Sequence, residues 1–143
     1  MSAAAIADII ARLSASGSPF SLVEGATEFG TVSTERPLAS PAAYVLTRNE
    51  AAGENERATG NVLQRVEKDI AIVIFTENLS DAAGAAAGSD LESLKDYCNA
   101  RLVGFTPTDG HEPMEFISGE LLAARGGGVW QEQLYALATY LEG

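Results

Sequence analysis

The side chains that could do chemistry are few: one histidine, His111, one cysteine, Cys98, and carboxylates scattered through polar segments. His111 stands next to Gly110, Glu112 and Pro113, so a metal or general-base role would have to draw on Glu112 and Asp109. A zinc site needs several spaced nitrogen or sulfur ligands, and one imidazole with two loop carboxylates does not supply them. His111 therefore reads as a solvated loop histidine. A Ser-His-Asp triad would have only this one base, and no nucleophile-elbow motif accompanies it. Cys98 has no second cysteine to pair with and lies in the apolar-periodic run Leu91 to Leu102, with no neighbour to lower its pKa, which describes a buried structural thiol. Gly126-Gly127-Gly128 is followed by no Lys-Ser or Lys-Thr, so it is a turn and not a phosphate loop. The pairs Asp109/Glu112 and Glu54/Glu56 have no apolar surroundings to raise an acid's pKa. No catalytic, cofactor-binding or metal-binding residue is assigned, and the expectation is a protein that is not an enzyme.

The elements that carry these residues alternate between helical and strand periodicity. Ile6, Ile9, Ile10 and Leu13 share a helical face over residues 3–14, with Ser2 as N-cap and Ser16 to Pro19 as the stop. Phe20 to Glu24 is a short strand, and residues 25–37 are ambiguous, with Phe29 filling the core from a turn. A ribbon follows: one strand from Pro41 to Thr47, a flexible polar loop over 49–60, and a second strand from Asn61 to Phe75. Residues 81–88 suit either a loop or a helix start. Ser89 to Leu102 is a helix with Leu91, Leu94, Cys98 and Leu102 as its stripe, capped by Ser89 or Asp90. Met114 to Leu122 is a strand. Val129 to Leu141 fits either period, and the glycine turn before it favours a hairpin strand. These elements make an α+β fold, a mixed and mainly antiparallel sheet with two flanking helices and a long protruding β-hairpin, in a single domain spanning 1–143.

The second ribbon strand is about three times the usual strand length of roughly 5 or 6 residues. From Ile70 onward both of its faces are apolar, so that end belongs in the core. The polar end, Gln64 to Asp69, has to be exposed or to touch a partner. The expectation is that residues 44–69 are ordered mainly by neighbouring chains. Along the first strand and its loop the interface candidates are Tyr44, Arg48, Glu50, Glu54, Glu56 and Arg57. On the second strand they are Gln64, Arg65 and Glu67. Trp130, directly after three glycines, fits either the core or an interface anchor.

Charge narrows the partners. With 9 basic against 20 acidic residues the net charge is -11, which opposes the phosphate-neutralising grip on nucleic acid. It equally opposes an anionic membrane surface. Asp8 interrupts the N-terminal apolar stretch, no basic n-region precedes it, and no apolar run reaches the roughly 18 residues of a membrane span. The lone cysteine and the missing leader pattern suggest a cytosolic origin.

The order of these segments carries a resemblance. An amphipathic first helix is followed by Leu22-Val23-Glu24-Gly25 and Pro41-Ala42-Ala43-Tyr44-Val45-Leu46. After a polar loop come Val62-Leu63-Gln64-Arg65-Val66, an Ala/Gly-rich approach to a helix, Leu102-Val103-Gly104-Phe105-Thr106-Pro107, and a closing Val129-Trp130-Gln131 strand. Over nearly its whole length the chain resembles the tail terminator proteins of long-tailed bacteriophages. The resemblance implies a structural virion protein whose homohexameric ring caps the head-proximal end of the tail tube and ends tube polymerisation. Its implied partners are further copies of itself, the major tail tube protein and the head-completion or connector protein, with no cofactor and no membrane. The resemblance also implies that genomic DNA passes through the lumen without specific binding, and acidic residues of the 49–60 loop or the 109–115 segment are expected to line that channel or to face the neighbouring ring. A neck or head-completion protein, and a small-molecule-binding α/β domain, are the alternatives.

Overall fold

The long apolar strand sets the architecture. In the computed structural model, which describes residues 2–32, 37, 39–77, 85–107, 110–125 and 128–143, strand β3 (Leu63–Glu77) is the central strand of a five-stranded sheet. On one side it pairs with β2 (Ala42–Ala52), and on the other with β5 (Gly128–Glu142). Strand β1 (Leu22–Glu24) lies outside β2, and β4 (Glu115–Arg125) lies outside β5, giving the order β1-β2-β3-β5-β4. Among the described residues only the β1–β2 pair is parallel.

Period-two alternation divides the core into two layers. Ile70, Ile72 and Ile74 of β3 face helices α1 (Ser2–Leu13) and α3 (Ala85–Leu102), where Ile9, Leu13, Leu94 and Cys98 close over them. Ala71, Val73 and Phe75 face the other way, toward Tyr44, Leu46 and Trp130, under a short helix α2 (Ala26–Val32). Each fully buried Ile or Val side chain stabilises by about 1.5 to 3 kcal/mol. A strand walled on both faces needs a run without polar interruptions, which Ile70 to Phe75 supplies, and all six residues are buried as expected. Helices α1 and α3 are tied at their C-terminal ends: Arg12 Nε donates to Arg101 O at 2.6 Å and Arg101 Nε to Arg12 O at 3.3 Å. The Arg12 guanidinium lies 4.5 Å from the centre of the Phe105 ring.

The α+β class with a mixed, mainly antiparallel open sheet holds, and several details differ from expectation. The ambiguous 25–37 segment contains α2, which seats Phe29 against Tyr44 at 5.4 Å between ring centres. Helix α3 begins at Ala85, four residues before the expected cap, because its Ala-rich first turn has helix propensity without an apolar stripe. Ser2 stands inside α1, and residues 81–84, Asp109, Gly126 and Gly127 lie outside the described residues. The first hairpin strand runs further than expected, to Ala52, while the second begins two residues later than expected, at Leu63, and ends two later, at Glu77, so the connection is 53–62. The ribbon is also not a free two-stranded arm. Strand β5 accompanies β3 along its whole length, from Leu63↔Glu142 to Glu77↔Gly128, which makes the extension three-stranded.

Candidate assembly surface

The polar end of the ribbon builds its own order. Gly53 N donates to Arg65 O at 2.8 Å and Glu56 N to Leu63 O at 2.8 Å, while Val62 and Gly143 exchange backbone bonds of 2.7 and 3.0 Å. Asn55 Oδ1 accepts from the backbone N–H of Arg57 and of Leu63. The expectation that residues 44–69 are ordered mainly by neighbouring chains is therefore corrected: the chain's own β5 and these turn bonds do it.

The ten interface candidates separate into three groups. Tyr44 is wholly buried beneath α2, so it cannot meet a partner in this conformation, and it leaves the set. Trp130 is half-buried, with its ring 4.7 Å from Phe75 and 6.3 Å from Phe29 between centres. The other eight lie on the extension or its root. Arg48, at the bulge between Thr47 and Asn49, bonds Glu132 at 2.7 Å. Glu50 stands 3.7 Å from the buried Lys68 ammonium. Glu54 and Glu56 are exposed in the connection, and Arg57 pairs with Glu142. Gln64 Nε2 donates to Gly53 O at 3.0 Å. Arg65 bridges Glu67 at 2.9 Å and Glu112 at 2.8 Å. The hydrogen bond from Arg65 holds the Glu112 carboxyl below its ordinary range, and these two carboxylates hold the Arg65 guanidinium in its charged form.

His111 is buried, contrary to its expected solvation. The reason is the backbone around it: Glu112 N donates to Ala138 O at 2.8 Å and Met114 N to Phe105 O at 2.9 Å, which lays the loop along the outer edge of β5. Cys98 is buried as expected, and desolvation pushes its thiol up to about 12. Among the described residues no three His, Cys, Asp or Glu side chains gather closely enough to hold a metal ion. Nor, among the described residues, is any helix long and apolar enough to cross a membrane.

Two apolar surfaces escape the sequence pattern. At the tip of the extension Val62, Tyr140 and Leu141 are exposed, and along β4 so are Phe116, Ile117, Leu121 and Leu122. The β4 residues come in adjacent pairs, which alternation treats as one core residue and one surface residue. Register shifts between Phe116 and Ser118 and between Leu121 and Ala123 break that assignment. Adjacent apolar pairs on a strand with no neighbour on one side were the available signal.

The sheet thus exposes apolar residues along one edge, and a charged three-stranded extension runs out from its core. The chain belongs to the phage tail terminator protein family, whose description matches residues 1–142. It is a structural protein of the phage tail, found in the virion. No curated protein matches it. Among solved structures, a chain from the "Virion of native gene transfer agent (GTA) particle" shares the fold at TM-score 0.51 and 19% sequence identity, covering 98% of this chain and 93% of that one.

Proposed function

We propose that six copies of this chain form a ring on the head-proximal end of the tail tube, ending tube polymerisation and offering a surface to the head connector. The observation that carries the reading is the β2–β3–β5 extension. Two of its strands are 15 residues long and run from the core to an exposed tip, a geometry that gives reach to a neighbour. Family membership supports the same reading, as does the origin of a fold neighbour in a virion particle. The tip presents Tyr140 and Leu141 to the tube protein or connector, while Glu54 and Glu56 of the connection line the channel, where the acidic balance of the chain keeps DNA from adhering.

The test removes the chain from the assembling particle and measures tails by electron microscopy. Tails of uncontrolled length without heads are expected. Tails of normal length lacking only heads would instead indicate a head-completion protein, and intact particles would defeat both readings. Reversing Glu54 and Glu56 to Lys is expected to slow DNA ejection, and an unchanged ejection rate removes these two from the channel wall.

A further inference from the structure

The ring reading leaves open which surfaces join the copies, and the inference here rests on that reading. Strand β4 is the outermost strand of the sheet, 11 residues long and paired only with β5. Its outer row of N–H and C=O groups meets no strand among the described residues. Phe116, Ile117, Leu121 and Leu122 beside that row are 43%, 46%, 55% and 43% exposed. Edge strands are ordinarily blunted by lysine, proline or a covering element. Between Phe116 and Ala124 the only charge is Glu120. An unpaired backbone flanked by exposed apolar side chains fits an incoming extended strand.

The chain carries the matching edge. Strand β1 covers only Ala42 to Tyr44 of β2, so Leu46 to Ala52 also has an open outer row among the described residues. Strands β2 and β4 run in opposite directions, because each successive pair from β2 through β3 and β5 to β4 is antiparallel. A second copy turned about an axis along the strands therefore presents its β2 edge antiparallel to β4. Charge separates this arrangement from a two-fold one. Glu120 already stands opposite Glu132 in the register, and no ion pair joins Glu115 or Glu120 among the described residues. A two-fold pairing of β4 with β4 about Glu120 sets Glu120 against Glu120, and like charges directly opposite are destabilising. The β2 edge carries two exposed charges: Arg48, on the face that carries Glu132, and Glu50, which stands 3.7 Å from Lys68 on the other face, so a cation is what this edge offers on the face of Glu120 and Glu132. We propose that β4 of one copy pairs with the Leu46–Ala52 edge of the next, head to tail, so that sheets of neighbouring copies continue into one another. A contact between two different surfaces repeats until rotation closes it into a ring.

The test compares isolated chain with rings in assembled tails. Amide exchange over Phe116 to Ala124 and over Leu46 to Ala52 is expected to slow by about tenfold or more in the ring. Equal exchange in the two states at either edge overturns the proposal. So does slowing of β4 that appears only when tube protein is added to rings already formed, since the occupant is then not a second copy. Ile117→Lys and Leu121→Lys place a charge on exposed positions and are expected to keep the parent's circular dichroism while failing to enter tails. Val103→Lys, 51% exposed just beyond α3, assembles normally. Normal assembly of both β4 variants overturns the edge assignment, and so does a discrete dimer of the parent chain in which amide exchange slows along β4 and not along Leu46 to Ala52. Failure of the ring-cap reading shows elsewhere, in tail length when the chain is removed.

Discussion

The Tyr44 hydroxyl is buried with no hydrogen-bond partner among the described residues, and burial followed by the charge of Glu24 raises its pKa. An unsatisfied buried hydroxyl costs about 1 to 3 kcal/mol, so Tyr44→Phe is expected to leave the melting temperature unchanged or raise it, and a loss above about 1 kcal/mol contradicts this account. On the helix-facing side of β5 a polar chain runs through the core. Gln131 Nε2 donates to Gln133 Oε1 at 2.7 Å, Gln133 bonds the Tyr135 hydroxyl, and Tyr135 donates to Asn99 Oδ1 on α3 at 2.6 Å. Gly119 is the position that makes room for it, because a Cβ there would overlap Gln133 Oε1 and stand 3.0 Å from Gln131 Nε2. Gly119→Ala is expected to cost about 1 to 3 kcal/mol by chemical denaturation, with part of the loss recovered in a Gly119→Ala/Gln133→Ala double variant. The Cys98 thiol, held up to about 12 by burial, stays protonated in the fold while the unfolded thiol ionises near pH 9. Above pH 9 the folded state binds the extra proton, so stability falls as pH rises from there toward 12. Native protein at pH 8 is expected to resist thiol reagents until it unfolds, and rapid labelling counts against a closed core.

Among the elements, alternation with double-sided burial made β3 legible, and the apolar stripe of Leu91, Leu94, Cys98 and Leu102 made the body of α3 legible. The glycine turn decided β5 correctly where its period was ambiguous. What escaped depends on neighbours that no local pattern encodes. Strand β5 shields one edge of the ribbon from a position more than fifty residues away, and α2 is only seven residues long, too short for a helical stripe. Eight of the expected interface residues fall on the extension or its root, whereas the exposed apolar residues of β4 escaped the sequence pattern, because bulges move them off their alternation. Burial of His111 follows from backbone bonds to β5, which sequence cannot show. One electrostatic tie belongs at this scale: Arg65 fastens the 110–114 loop to the extension through Glu112. A carboxyl depressed below its ordinary value of 4.5 contributes stability above that pH and loses it as pH falls through the lower folded value. Arg65→Met is expected to return the Glu112 titration, followed by NMR, to the ordinary range and to speed exchange of the Glu112 amide. An unchanged titration would mean another group sets it.

For the whole molecule, a net charge of -11 means copies approaching one another repel. Association that proceeds through apolar edges is then strengthened by salt, which screens the repulsion within a Debye length of about 10 Å at 0.1 M. Sedimentation of the purified chain is expected to show larger species as salt rises, and dissociation by salt would point to ion pairs as the main contact. The pairing of β3 with β5 has a mechanical consequence. Its register passes through 15 consecutive positions without a shift, so no joint separates the tip of the extension from the helix-covered core. The register shifts fall instead in the pairings of β2 and β4. A push delivered at Val62 or Leu141 is expected to travel along β3 and β5 together and to reach the strands beneath α3 as a tilt rather than a local bend.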